Sequence, residues 1–84
     1  MMNTETQTPK QTWLCWADPG IVWAQSYDFH IQCHKHVASQ AWIAYARWAR
    51  TGQPVVRVVK TKRFDAVHEA MTACDRALAE KEGA

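Results

Sequence analysis

Four residues with metal-binding or nucleophilic side chains lie within seven positions of one another: His30, Cys33, His34 and His36. Zinc is held in proteins by imidazole nitrogens and thiolates that converge as a tetrahedron. On a helix, His30, Cys33 and His34 would share one side. On a strand, His30, His34 and His36 would share one side instead. The cluster therefore suggests a zinc-stabilised module as one hypothesis about this protein.

The spacing of this cluster differs from the usual zinc motifs, in which two ligands are followed by a second pair some distance along the chain. A completing ligand would have to be Cys15 or Cys74. We expect instead that Cys33 packs as a small apolar side chain and that the histidines face solvent. The main prediction is therefore a protein without a metal or other cofactor.

Cys33 beside His34, with Asp28 nearby, also suggests a cysteine nucleophile with its base and orienting group. Neighbours in a chain seldom point at each other in the way that such a pair requires, and no glycine-rich elbow supports it. The sequence has no HExxH, no phosphate-binding loop and no GxGxxG. We therefore predict that the protein is not an enzyme.

Charge is distributed unevenly along the chain. Residues 29–64 contain no Asp or Glu but seven cations: Lys35, Arg47, Arg50, Arg57, Lys60, Lys62 and Arg63. The segments before and after this block are net acidic, so the formal net charge is only +2. Such segregation presents an electric field to a partner if the cations share one side of the molecule.

The strongest helical pattern covers residues 37–51. Val37, several alanines and the aromatic residues fall in an arc of about 200° on a helical wheel, with Ile43 as the apolar exception on the other side. Alanine favours helices. Gly52 and Pro54 would end the helix, while its start is open between Asp28 and Ser39. In such a helix we expect Trp42, Tyr45 and Trp48 to pack mainly in the core. One flank of the wide apolar arc, at Trp42 or Trp48, would be left for a partner.

Other segments have patterns typical of strands. Residues 12–17 and 21–27 alternate around Asp18-Pro19-Gly20, which predicts a hairpin with a tight turn. Residues 28–36 are ambiguous; we favour strand to about residue 32 and helix from about residues 34–37. Residues 53–61 contain four valines and predict a central strand.

A second amphipathic helix is predicted over residues 65–82, with Asp65 as its N-cap and Gly83 as its end. The predicted order is β-β-(β)-α-β-α. The predicted fold class is therefore α+β, a two-layer sandwich of a three- or four-stranded, mainly antiparallel sheet with two helices.

Length and composition define the class of protein. Eighty-four residues make one domain, which we place at residues 12–84 after a polar, disordered tail of residues 1–11. So small a core favours stabilisation as a homodimer. No apolar run is long enough to span a membrane. Three well-separated cysteines indicate reduced thiols and, with no apolar signal sequence, a cytoplasmic protein.

The functional prediction rests on the basic block and its aromatic residues. We expect a small binding or inhibitor protein whose basic surface docks on an acidic or nucleic-acid-handling protein complex. Cations would steer the encounter and a large apolar side chain would anchor it. The predicted contact residues are Arg47, Arg50, Arg57, Lys60, Lys62, Arg63, Trp42, Ile43 and Trp48.

The alternative target is nucleic acid itself. Arginine and lysine contact phosphates, and an exposed tryptophan stacks on an unpaired base, so direct binding of single-stranded nucleic acid or RNA is the second hypothesis. Small size, the lack of a catalytic motif and five tryptophans also give the chain the general look of small proteins carried by phages and mobile elements. Some of those proteins inhibit host defence complexes, anti-CRISPR proteins among them.

Overall fold

Five strands and one helix follow one another in a computed structural model that describes residues 11–83. The elements are β1 (Leu14–Asp18), β2 (Ile21–Gln25), β3 (Phe29–His36), β4 (Ala41–Trp48), β5 (Pro54–Lys60) and α1 (Arg63–Gly83). The strands pair in chain order, and each is antiparallel to the next. The fold is α+β, as predicted. The prediction of three or four strands with two helices is wrong, because the first predicted helix is a strand.

Strand β4 occupies most of the segment for which a helix was predicted. Trp42, Ala44, Ala46 and Trp48 lie on the side of the sheet that faces α1, while Ile43, Tyr45 and Arg47 lie on the other side. A period of two therefore separates the two groups cleanly, including Ile43, which did not fit the helical arc. Aromatic and β-branched residues favour a strand, and pairing with β3 and β5 overrides the helical preference of alanine.

Short connections join the neighbouring antiparallel strands. The turn predicted at Asp18-Pro19-Gly20 is present, but Asp18 belongs to β1, so Pro19 and Gly20 alone form the turn to β2, with Gly20 at a φ of 90°. A non-glycine residue, Gln40, takes the left-handed conformation between β3 and β4, at a φ of 63°. Its backbone N–H donates to the His36 carbonyl oxygen over 2.8 Å. Gly52, predicted to end a helix, instead belongs to the loop between β4 and β5.

Helix α1 packs chiefly across β3, β4 and β5. Small residues make the contact: Ala66, Ala70 and Cys74 of α1 are fully buried, as is Ala44 of β4. Alanine on both sides lets the helix approach the sheet closely. The other buried apolar residues are Val22, Ala24, Phe29, Ile31, Cys33, Ala46, Val58, Val67 and Met71.

The chain before β1 is fixed at Gln11. Its amide nitrogen donates to an Asp75 carboxylate oxygen over 2.8 Å, and its amide oxygen accepts from the Ser26 hydroxyl over 2.7 Å. The rest of the predicted disordered tail, residues 1–10, lies outside the described residues. No helix within residues 11–83 is long and apolar enough to cross a membrane.

The two phenylalanines provide a matched test of this core. Phe29 is fully buried, with its ring centroid 4.4 Å from that of Trp48, whereas Phe64 is 64% exposed. We expect Phe29→Ala to lower the free energy of unfolding by about 3–5 kcal/mol, because it leaves a cavity. Phe64→Ala should change it by less than about 1 kcal/mol. Urea denaturation of both variants measures the difference; equal losses would contradict the packing described.

Candidate binding surface on the sheet

Strand β3 separates the residues of the proposed zinc cluster. Alternation places His30, His34 and His36 on the side of the sheet away from α1, and it buries Cys33 against α1. Among residues 11–83, no group of three or more His, Cys, Asp or Glu side chains is arranged to hold a metal ion. The structure therefore offers no support for the zinc-stabilised alternative.

The same alternation removes the proposed cysteine nucleophile. Cys33 and His34 point to opposite sides of the sheet, so the imidazole cannot take the thiol proton. Burial raises the pKa of the Cys33 thiol, and the positive charge of Arg63 offsets this only in part. A nucleophilic cysteine needs a lowered pKa and access to solvent, and Cys33 has neither.

The cations predicted to form one surface are divided between the two sides of the molecule. Arg47 and Arg57 lie on the side of the sheet away from α1. Lys60 lies on the helix side, where its amino group is 2.8 Å from a Glu69 carboxylate oxygen. The hydrogen bond and charge of Glu69 raise the pKa of Lys60. This lysine is therefore already paired within the chain.

The remaining predicted cations lie at opposite ends of the structure. Arg50 is in the loop between β4 and β5, and Lys62 precedes α1. The Arg63 guanidinium carbon is 5.6 Å from the ring centroid of Trp42, so this cation covers a tryptophan. The structure thus does not bring the six predicted cations together.

The two tryptophans predicted as anchors belong to the core. Trp42 and Trp48 are half-buried, pack against the buried cluster and lie at opposite ends of β4. The Lys81 amino nitrogen is 4.9 Å from the Trp48 ring centroid. This contact is of the same kind as that between Arg63 and Trp42. Each ring therefore contacts one cation, Arg63 from the start of α1 at Trp42 and Lys81 from its end at Trp48.

A different set of aromatic residues lies on the side of the sheet opposite α1, here called the open face; Trp16 and Tyr45 are exposed there and Trp23 is half-buried. No element among residues 11–83 covers it. The strand registers align five of its residues in one row that crosses all five strands. This middle row consists of Trp16, Trp23, Gln32, Tyr45 and Arg57.

The middle row is ordered by contacts between its own members. The rings of Trp16 and Trp23 are stacked, with centroids 6.2 Å apart and planes inclined by 25°. The Arg57 guanidinium carbon is 6.0 Å from the Tyr45 ring centroid. Cross-strand aromatic and cation–π pairs of this kind restrict side-chain motion. The row is therefore a partly preorganised surface, because less side-chain entropy remains to be lost on binding.

Two flanking rows differ in chemistry. On one side of the middle row the strands place polar and basic residues: Gln25, His30 and Arg47, with Leu14 at the edge. On the other side they place mainly apolar residues: Ile21, Ile43 and Val59, with His34 between them and Asp18 at the edge. Asp18 is the single carboxylate that the described strands place on the open face. The surface is thus aromatic at its centre and weakly basic.

Arg47 lies between two shallow depressions of the open face. One has a volume of about 140 Å³ and is lined by Trp16, Trp23, His30, Gln32 and Arg47, among others. The other has a volume of about 580 Å³ and lies beside Tyr45 and Arg57. A further depression of about 600 Å³ lies between loops at the C-terminal end of α1, beside Trp48. The two on the open face give it enough relief to accept protruding side chains.

Of the predicted contact residues, Ile43, Arg47 and Arg57 lie on the open face, whereas Trp16, Trp23 and Tyr45 of the same face were not among the predicted contacts. A signal for the first two was present, because a two-residue turn at Pro19 and Gly20 fixes the hairpin register and sets Trp16 opposite Trp23. Tyr45 was missed because its segment was assigned to a helix.

Comparison with protein-family models, with curated proteins and with solved structures finds no match to this chain.

The buried thiols predict a specific dependence of stability on pH. Burial, with a smaller effect of the Asp75 charge, raises the pKa of Cys74 from 9.0 to about 12. The native state therefore holds this proton more tightly than the unfolded chain does. We expect no contribution of Cys74 to the pH dependence below about pH 9, and above it a fall in the free energy of unfolding of up to about 1.4 kcal/mol per pH unit.

Denaturation of the native sequence and of Cys74→Ala across pH 7–11 measures this effect. The variant should lose stability less steeply above pH 9, since other alkaline titrations are common to both proteins. Parallel curves would show that Cys74 is not buried as described.

Proposed function

We propose that this chain is a non-enzymatic binding protein that docks the open face of its sheet on a partner protein. The middle row of Trp16, Trp23, Tyr45 and Arg57, with Gln32 among them, is the observation that carries the proposal. Tryptophan, tyrosine and arginine are the residues in which interface energy concentrates.

The shape of the molecule suits such an interface. Its extents are 40 × 36 × 19 Å, so it is a flat body of two layers with a broad side parallel to the sheet. A stable interface of ordinary size uses about 800 Å² of accessible surface from each partner. Ile21, Ile43 and Val59 beside the middle row extend the apolar contact area, and polar residues at the other flank supply a rim.

The charges of the open face favour a protein over a nucleic acid as the partner. Binding of single strands relies on a groove of cations that follows the phosphates. Of the six predicted cations, only Arg47 and Arg57 lie on this face, and Lys60 is paired with Glu69. Two arginines among aromatic residues suit one or two carboxylates on a partner protein better than a chain of phosphates.

The partner is proposed to present an acidic patch beside an apolar one, as the complement of Arg47, Arg57 and the aromatic row. Membership of that partner in a nucleic-acid-handling assembly, and an inhibitory role in it, rest on the acid-free middle of the sequence and on the general look of the chain. These two statements make the proposal more specific, and docking of the open face does not depend on them.

Paired charge reversals on opposite sides of the molecule test the docking surface. Arg57→Glu removes the cation beside Tyr45, whereas Arg76→Glu makes the same change on an exposed position of α1. From nuclease-treated lysate of the native organism, the native sequence and Arg76→Glu should retain the same protein. Arg57→Glu should weaken its binding at least about 30-fold, the size of effect expected for an interface hot spot.

Titration of the purified partner by biolayer interferometry gives the affinities. Equal binding by Arg57→Glu and the native sequence would place the interface elsewhere. In a parallel arm, fluorescence anisotropy of a labelled single-stranded oligonucleotide at about 50 mM salt reports direct nucleic-acid binding. Tight binding in that arm, lost in Arg57→Glu, would replace the partner protein with nucleic acid as the ligand of the same face.

A further inference from the structure

The two edges of the sheet are protected very differently. Strand β5 begins with Pro54, which has no amide hydrogen to donate, and its pairing with β4 is interrupted by a register shift beside Ala46 and Arg47. It also carries Arg57 and ends in Lys60. Proline, bulges and basic side chains are the features by which edge strands avoid pairing with other chains.

Strand β1 has none of these features. Its residues are Leu, Cys, Trp, Ala and Asp, without proline, lysine or a bulge. All five residues are exposed, including Leu14 at 66% and Trp16 at 49%. In the part of the chain that the structure describes, no strand lies beyond β1, so one row of its backbone amides and carbonyls is available for pairing.

We propose that β1 pairs antiparallel with β1 of a second copy of this chain, so that two five-stranded sheets join into one ten-stranded sheet about a twofold axis. The inference does not depend on the function proposed for the open face. It assigns an interaction to the edge of the sheet, where backbone groups form the contact.

Closure of the assembly identifies the second copy as the occupant. Pairing of β1 with β5 of another molecule would be head-to-tail and would continue into a fibre. Pro54 and the basic residues of β5 oppose that arrangement. Pairing of β1 with itself is closed, because the dimer then has two outer edges and both are the protected β5.

The charges and sizes of the β1 residues are compatible with self-pairing. In an antiparallel pairing centred on Trp16, Leu14 of one copy lies opposite Asp18 of the other, so the two carboxylates are kept apart at opposite ends. On the helix side the facing residues are Cys15 and Ala17, which are small. On the open face the two Trp16 rings meet, and the middle rows of both copies become continuous.

Matched lysine substitutions on the two edge strands test this proposal. Cys15→Lys places a cation on β1, on the side away from the open face, while Val59→Lys places one at an exposed position of β5. Sedimentation equilibrium of the full-length native chain should give twice the monomer mass. We expect Cys15→Lys to raise the dimer dissociation constant at least about tenfold and Val59→Lys to leave it unchanged.

Three results would overturn the proposal. They are a native chain that stays monomeric at all concentrations, a dimer as tight in Cys15→Lys as in the native chain, and a dimer weakened equally by Val59→Lys. Far-UV circular dichroism confirms that each variant is folded. If Cys15→Lys fails to fold, Ala17→Lys makes the same change two residues along β1. Hydrogen exchange of the native chain then gives a second readout, since β1 amides should gain protection as concentration rises.

Discussion

The width of one helix determines how much of the sheet is covered in this molecule. An α-helix with its side chains is about 10–12 Å across, and strands lie about 4.8 Å apart. A single helix therefore covers about two to three strands, and α1 packs chiefly on β3, β4 and β5. Strand β1 and the whole open face receive no cover from any element among residues 11–83. The buried alanines of α1 and β4 allow the two layers to pack closely. The core lies on one side of the sheet only, so the middle row on the other side remains uncovered.

Sequence patterns predicted the elements whose signals are local. The hairpin of β1 and β2 follows from Pro19 and Gly20, and α1 follows from a regular apolar stripe closed by Gly83. The segment that became β4 misled the interpretation because alanine favours helices when tertiary contacts are ignored. The turn before it is formed by Gln40 in a left-handed conformation, which a sequence without glycine there does not reveal. Trp42, Ile43 and Tyr45, as aromatic and β-branched residues that favour strands, were the stronger signal.

The structure separates the predicted basic residues for the same reason that it replaces the predicted helix with a strand. A run of basic residues in a sequence becomes one surface only if the backbone turns the side chains to one side. In a strand, neighbours face opposite ways. Arg57 consequently reaches the open face, whereas Lys60, three residues later, meets Glu69 of α1. Pairing between a strand and a distant helix depends on the tertiary fold, and the charge pattern alone does not contain it.

The tryptophans show how the fold divides residues of one type into two roles. Trp42 and Trp48 lie at the two ends of β4, under cations from the two ends of α1. Lys81 is favoured by the helix dipole at the C-terminal end, but Arg63 is opposed by it at the N-terminal end. The contact of Arg63 with Trp42 offsets that unfavourable position. These two rings therefore hold the helix in place along β4. Trp16 and Trp23 stack on each other on the opposite side of the sheet, where no helix end reaches them. Stacking between these two does not attach α1; it joins β1 to β2 across the open face, where the proposed docking surface lies.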